Sequence, residues 1–167
     1  KDQVAAGLHR PGPDGRTPVQ QLAEIATGVD ELIRQQEVVF ANQLVPELAA
    51  HGIRLLRWAQ LDVAAAARMR ELFERRVFPV LTPLSVDPGH PFPYISTLSL
   101  NLAVEVVDPV SGERRFARVK VPPTLPRLVE VGDGAFIALE ELIAANVGEL
   151  FPGMTVDHCS PFRVTRN

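Results

Sequence analysis

His90 stands in the turn-forming run Asp87-Pro88-Gly89-His90-Pro91. An imidazole titrates near neutrality, so it can carry a proton or attack as a nucleophile, and Asp87 is close enough to orient one ring nitrogen. A pairing within one turn is a weak signal, and a histidine between Gly and Pro is more often structural or solvated. His158 and Cys159 are adjacent and follow Asp157. Neighbours on an extended segment alternate faces, so these three do not converge on one metal ion. No Cys-x-x-Cys or His-x-x-x-His spacing occurs, and Cys-His catalysis would need partners from elsewhere in the fold. The plainer reading is a small buried thiol beside a polar neighbour. His9 falls in a loop, and His51 near a helix C-terminus has a simple explanation in the helix dipole.

The basic residues cluster more tightly. Arg114, Arg115, Arg118 and Lys120 fall on one short stretch. Its alternation puts Arg118 and Lys120 on the face of Phe116, with Arg115 on the other. Guanidinium groups match phosphate oxygens bidentately, so that face suits phosphate contact. It suits a solvated sheet face or a subunit contact equally well. No Gly-x-x-x-x-Gly-Lys-Ser/Thr and no Gly-x-Gly-x-x-Gly is present, so a P-loop nucleotide site is not supported.

The elements that must position these residues read in two halves. Residues 1–16 form a Gly- and Pro-containing loop. Thr17-Pro18-Val19-Gln20 is a helix start with a capping box. Leu22, Ile25, Val29, Leu32, Ile33 and Phe40 then recur at helical spacing. Pro46 should kink or end this helix, and Gly52 is a good left-handed stop. A second helix is expected from about Leu61 or Asp62 to Arg76, around the run Ala64–Ala67, and the two helices can pair as an antiparallel hairpin. Beyond it, Ser99–Val107 and Arg115–Val121 alternate as two strands of a hairpin. A short strand is expected at Leu128–Val131, a helix from Leu139 to about Val147, and a last strand at Val156–Val164 interrupted at Pro161. That order predicts an α+β fold: a helical hairpin, then an antiparallel sheet with helices packed on one side as a two-layer sandwich.

Between the halves lies Phe78–Val104, FPVLTPLSVDPGHPFPYISTLSLNLAV. Five of the fifteen prolines fall between Phe78 and Pro93. They exclude regular helix or a central strand there, yet the stretch is apolar, as a packed joint would be. This segment closely resembles the start of the middle domain of bacterial polyphosphate kinase. The lead-in ELFERRVFPVLTPL (Glu71–Leu84) and the close PFRVTRN (Pro161–Asn167) resemble the same family in the same order. The resemblance implies a fragment of a longer enzyme. Residues 1–77 would be the end of a helical N-terminal domain, and residues 78–167 the first part of an α+β middle, or head, domain.

The family transfers the γ-phosphoryl of ATP to inorganic polyphosphate through a phosphohistidine, with Mg²⁺. The resemblance places that histidine in C-terminal catalytic domains, so no catalytic residue and no metal ligand is carried onto this sequence. It implies that the middle domain serves architecture and a homo-oligomer interface, with the remainder of the same chain, ATP and polyphosphate as partners of the whole enzyme. Arg163 and Arg166 in PFRVTRN match the family pattern closely and join Arg118 and Lys120 as candidate phosphate contacts. The rival readings are an interaction module without enzymatic activity, and a small phosphotransferase built on His90.

Composition agrees with a globular domain: 46% hydrophobic and 22% charged residues. The net charge of −3 gives no global basic footprint for nucleic acid. A single cysteine excludes an internal disulfide framework and suits a reducing compartment. No apolar run is long enough to span a bilayer, and the start has no signal-peptide core. The expected location is cytoplasmic, with peripheral membrane association of the whole enzyme as a variant.

Overall fold

The computed structural model describes residues 2–5, 7, 10–86 and 95–164. The chain divides into two compact units, residues 1–51 and 52–167.

The first unit holds α1 (Asp2–Ala5) and α2 (Pro18–Val39). Thr17 caps α2 as its sequence predicts: its hydroxyl accepts from the Gln20 amide, and the Gln20 side chain accepts from the Thr17 amide at 2.9 Å. Pro46 does not end the helix. A wide π-turn over Phe40–Leu44 precedes it, and α3 (Val45–Ala50) carries the helix on. The π-turn shifts the hydrogen-bond register from four residues to five, which accommodates the proline's missing donor and its ring. The same device recurs in the second unit, where a π-turn over Phe73–Val77 follows α4 (Val63–Leu72) and precedes Pro79.

The second unit contains two sheets. The larger is antiparallel in the order β2-β4-β3-β7, from β2 (Pro83–Val86), β3 (Leu100–Val107), β4 (Arg114–Lys120) and β7 (Thr155–Arg163). The smaller has β6 (Ala135–Ala138) between β1 (Arg54–Leu56) and β5 (Leu128–Gly132), with β1 parallel to β6. Ile53–Ala59 reads by sequence as a short apolar linker, yet Arg54–Leu56 within it is a strand. Its pairing partner lies some eighty positions away, which no local pattern reports.

Two prolines sit inside strands, Pro83 in β2 and Pro161 in β7. Both strands are sheet edges, where a missing donor costs no ladder hydrogen bond if it faces outward. The interruption expected at Pro161 is therefore absent, and β7 runs unbroken past it.

The core gathers Leu102, Val104, Val106 and Val119 from the larger sheet, with Val121 just past β4. Against them pack Met69, Phe73 and Val77 from α4 and its π-turn, and Leu139, Leu142 and Ile143 from α5 (Leu139–Asn146). Helices thus cover one face of an antiparallel sheet, which is the expected α+β class. The burial of Phe73 at 0% and Val77 at 2% places α4 with the sheet that follows it. The apolar side of α4 matches the sheet face in the same unit, and covering that face removes more surface from water than a two-helix pair can.

Candidate functional site

Val119 faces the core, so the alternation of β4 turns Phe116, Arg118 and Lys120 to the opposite sheet face. Arg118 stands opposite Leu84 of β2 and Ala103 of β3. It is 8% exposed, and its Nε has no hydrogen-bond partner. An unpaired buried guanidinium nitrogen is costly, and such groups call for an explanation. Lys120 stands opposite Asn101. Asn101 is fully buried; its Nδ2 donates to the Ser99 carbonyl at 2.9 Å and to Ser99 Oγ at 3.1 Å, while its Oδ1 has no partner.

Past Lys120 the chain turns at Pro122-Pro123. Two clefts adjoin at this end of the sheet and share Lys120, Pro122 and Pro123. The first, of about 300 Å³, is lined by Arg118 and Lys120 together with Thr82 and Thr124. The second, of about 340 Å³, is lined by Lys120, Arg127 and Arg163 with Ser96, Thr97 and Ser99 at the end of the sheet; Arg163 stands opposite Leu100, on the sheet face away from Lys120. No carboxylate is among the described residues that line either cleft. Arg127 is partly neutralised by a 2.6 Å hydrogen bond from its Nη2 to Glu140 Oε1. Arg118, Lys120 and Arg163 have no ion pair with a described residue. One wall is strained: Leu98 has φ +62 and is held by a 2.8 Å hydrogen bond from its amide to the Val164 carbonyl. A non-glycine residue costs about 1–2 kcal/mol in that region.

The other sequence candidates separate. Arg114 pairs with Asp157 at 3.0 Å, and Arg115 with Glu113 at 2.9 Å, so acids satisfy both. A bulge between Glu105 and Val106 leaves Asp157 out of the β3–β7 register. Exposed His158 sits opposite Glu105 and meets Ser160 Oγ at 2.6 Å. Cys159 lies opposite Val104 against the core, and burial pushes its thiol pKa up, away from the reactive thiolate. His90, Asp87 and Arg166 lie outside the described residues. Among the described residues no group of three His, Cys, Asp or Glu side chains is placed to hold a metal ion, so they do not fit a Mg²⁺ centre. No helix among them is long and apolar enough to cross a membrane. Sequence reasoning missed Arg127 and the hydroxyl residues, since only the fold brings them beside Lys120.

Comparison with known proteins bears on the whole arrangement. Residues 1–56 match the model of the polyphosphate kinase N-terminal domain, and residues 64–167 that of the polyphosphate kinase middle domain. The polyphosphate kinase of Streptomyces coelicolor is 48% identical over all of this chain, which spans 22% of that protein's length. That of a Synechocystis species is 46% identical, again over all of the chain, which spans 25% of its length. The crystal structure of polyphosphate kinase from Porphyromonas gingivalis superposes with a TM-score of 0.71 at 28% identity, over 81% of this chain and 24% of that one. The chain thus spans about a quarter or less of the curated relatives it matches, and it belongs to the polyphosphate kinase family, whose N-terminal and middle domains it represents in order.

Proposed function

We propose that this chain is a non-catalytic, architectural portion of a kinase that transfers the γ-phosphoryl group of ATP to inorganic polyphosphate. The phosphohistidine, the ATP site and the Mg²⁺ site belong to parts of the whole protein outside these residues. The middle domain supports assembly of subunits, and the whole enzyme works in the cytoplasm. The observation that carries this reading is the order of the two matches, the N-terminal domain over residues 1–56 and the middle domain over 64–167. The chemistry agrees with it. In-line phosphoryl transfer needs a positioned nucleophile, cationic clamps and a metal. The described residues supply cations in a cleft and neither of the other two.

The test is phosphate incorporation. The purified chain is incubated with γ-labelled ATP and Mg²⁺, and acid-labile phosphate on protein is counted. No label is expected on this chain, and label is expected on the whole protein. Label on this chain that disappears in His90→Ala would replace the reading with a phosphotransferase built on the proline-rich joint.

A second reading rests on the first unit. Ile25 is 60% exposed and Leu32 66%, on the apolar stripe of α2. That stripe favours an interaction module that self-associates. Concentration-dependent sedimentation of this chain, lost in Leu32→Glu, would favour it, and monomeric sedimentation throughout would remove it.

A further inference from the structure

The geometry points to β5 as a strand that pairs with its counterpart in a second copy of this chain, across a two-fold axis. The choice of a second copy as partner rests on the subunit assembly proposed above; the surface itself rests on backbone and side chains. β5 is the outer strand of the smaller sheet. An edge strand invites pairing with another chain, and a proline or lysine in it is a common guard. The larger sheet carries Pro83 in one edge strand and Pro161 in the other. The opposite edge of the smaller sheet, β1, is three residues long. β5 has none of these protections: Leu128–Gly132 contains neither proline nor lysine.

The register decides which backbone groups are free. The Leu139 amide donates to the Arg127 carbonyl at 2.9 Å, so these two residues form a hydrogen-bonded pair. Such pairs alternate in an antiparallel ladder, so Val129 also turns its groups to β6, while Leu128 and Glu130 turn theirs outward. Arg68 Nη2 reaches the Val131 carbonyl at 3.5 Å and closes the edge beyond them. A two-fold axis at Val129 uses all the free groups, and it sets Leu128 opposite the second copy's Glu130. Side chains favour the same pairing. A cleft of about 390 Å³ runs along this edge, lined by Leu72, Val77, Leu125 and Phe136. It takes side chains from both faces of β5, Val129 from the core side and Leu128 and Glu130 from the other. Leu128 is 49% exposed. The cleft's cation is Arg76 and its carboxylate Glu130; both are exposed, and neither has an ion pair with a described residue. In the two-fold pairing the second copy's Glu130 enters the cleft that Arg76 lines. The reciprocal contact forms across the axis, so the surface is complementary to itself, as an isologous interface must be.

The test is sedimentation of this chain, carried in the Leu32→Glu background so that the α2 stripe does not contribute. Concentration-dependent dimerisation is expected. Arg76→Glu and Glu130→Arg each bring like charges together on both sides of the axis and are expected to weaken it about tenfold or more. The double variant Arg76→Glu/Glu130→Arg exchanges the signs and should restore it. Leu128→Lys guards the edge and should abolish the dimer without lowering the urea midpoint. Arg75→Glu, which alters an arginine paired with Glu71 outside the cleft, should leave the dimer intact. A monomer at every concentration, a dimer indifferent to the single reversals, or a double variant as weak as the singles overturns the proposal. Leu128 and Glu130 amides protected from exchange in the whole protein, beside a monomeric chain here, would assign the edge to another segment of that polypeptide and overturn it as well. Assembly of the whole protein that survives both single reversals would remove this surface while the middle domain keeps its assembly role.

Discussion

Gly134 shows how one residue can set a long-range pairing. It has φ +71, and a Cβ there would lie 2.1 Å from the Gly52 carbonyl oxygen. Its own carbonyl accepts from the Arg54 amide at 2.8 Å, at the start of the parallel pairing of β1 with β6. Gly134→Ala therefore adds a backbone clash to a left-handed strain. A loss of at least 2 kcal/mol or so is expected, read as a lower urea midpoint. Asp108 works electrostatically. Its carboxylate accepts from the amides of Val110 at 2.8 Å and Ser111 at 3.2 Å, and these hydrogen bonds, Val110 first, hold its pKa below the ordinary carboxylate value. A depressed folded-state pKa contributes stability above the unfolded value, and that contribution is lost as pH falls through the folded one. Asp108→Asn should thus flatten the acid limb of stability as pH falls through and below the ordinary carboxylate range, checked by urea midpoints against pH.

At the scale of elements, capping and composition act locally while packing does not. Gly28 lies inside α2, and a Cβ there would meet nothing within 4 Å. Gly28→Ala should stabilise that helix by about 1 kcal/mol, visible as slower amide exchange through α2. Phe73 is the opposite case. It is fully buried in the core and meets Phe78 edge-on, with centroids 6.1 Å apart. Phe73→Ala should cost about 3–5 kcal/mol, measured by urea unfolding of the second unit. The helix starts at Thr17 and Asp62, the hairpin of β3 and β4, and α5 were all legible, because caps, alternation and helical spacing are properties of neighbouring residues. The second sheet was not, since β1 is three residues long and its partner is remote.

At the scale of the whole chain, stability is unevenly placed. Every member of the hydrophobic core cluster falls within residues 58–159. Pro18 is the buried residue of α2, and α3 has none. Residues 52–167 expressed alone should therefore unfold cooperatively in urea, followed by circular dichroism. Residues 1–51 alone should show broad, non-cooperative loss of helicity, as an isolated helix without a packed face does. A cooperative transition in the shorter piece would contradict this placement of the core.

The sequence by itself determined the family, the α+β class, the helix starts and the face on which Arg118 and Lys120 lie. Each follows from local order: a long run of unusual composition, capping residues, or a period of two. The tertiary structure decided which sheet Arg54–Leu56 joins and that α4 belongs with the strands after it. It also decided that Arg127, Arg163 and the hydroxyl residues line one cleft with Lys120 at one end of the sheet. Those outcomes depend on which apolar faces bury each other and on which strands become edges. They are properties of the assembled fold, and no window of neighbouring residues contains them.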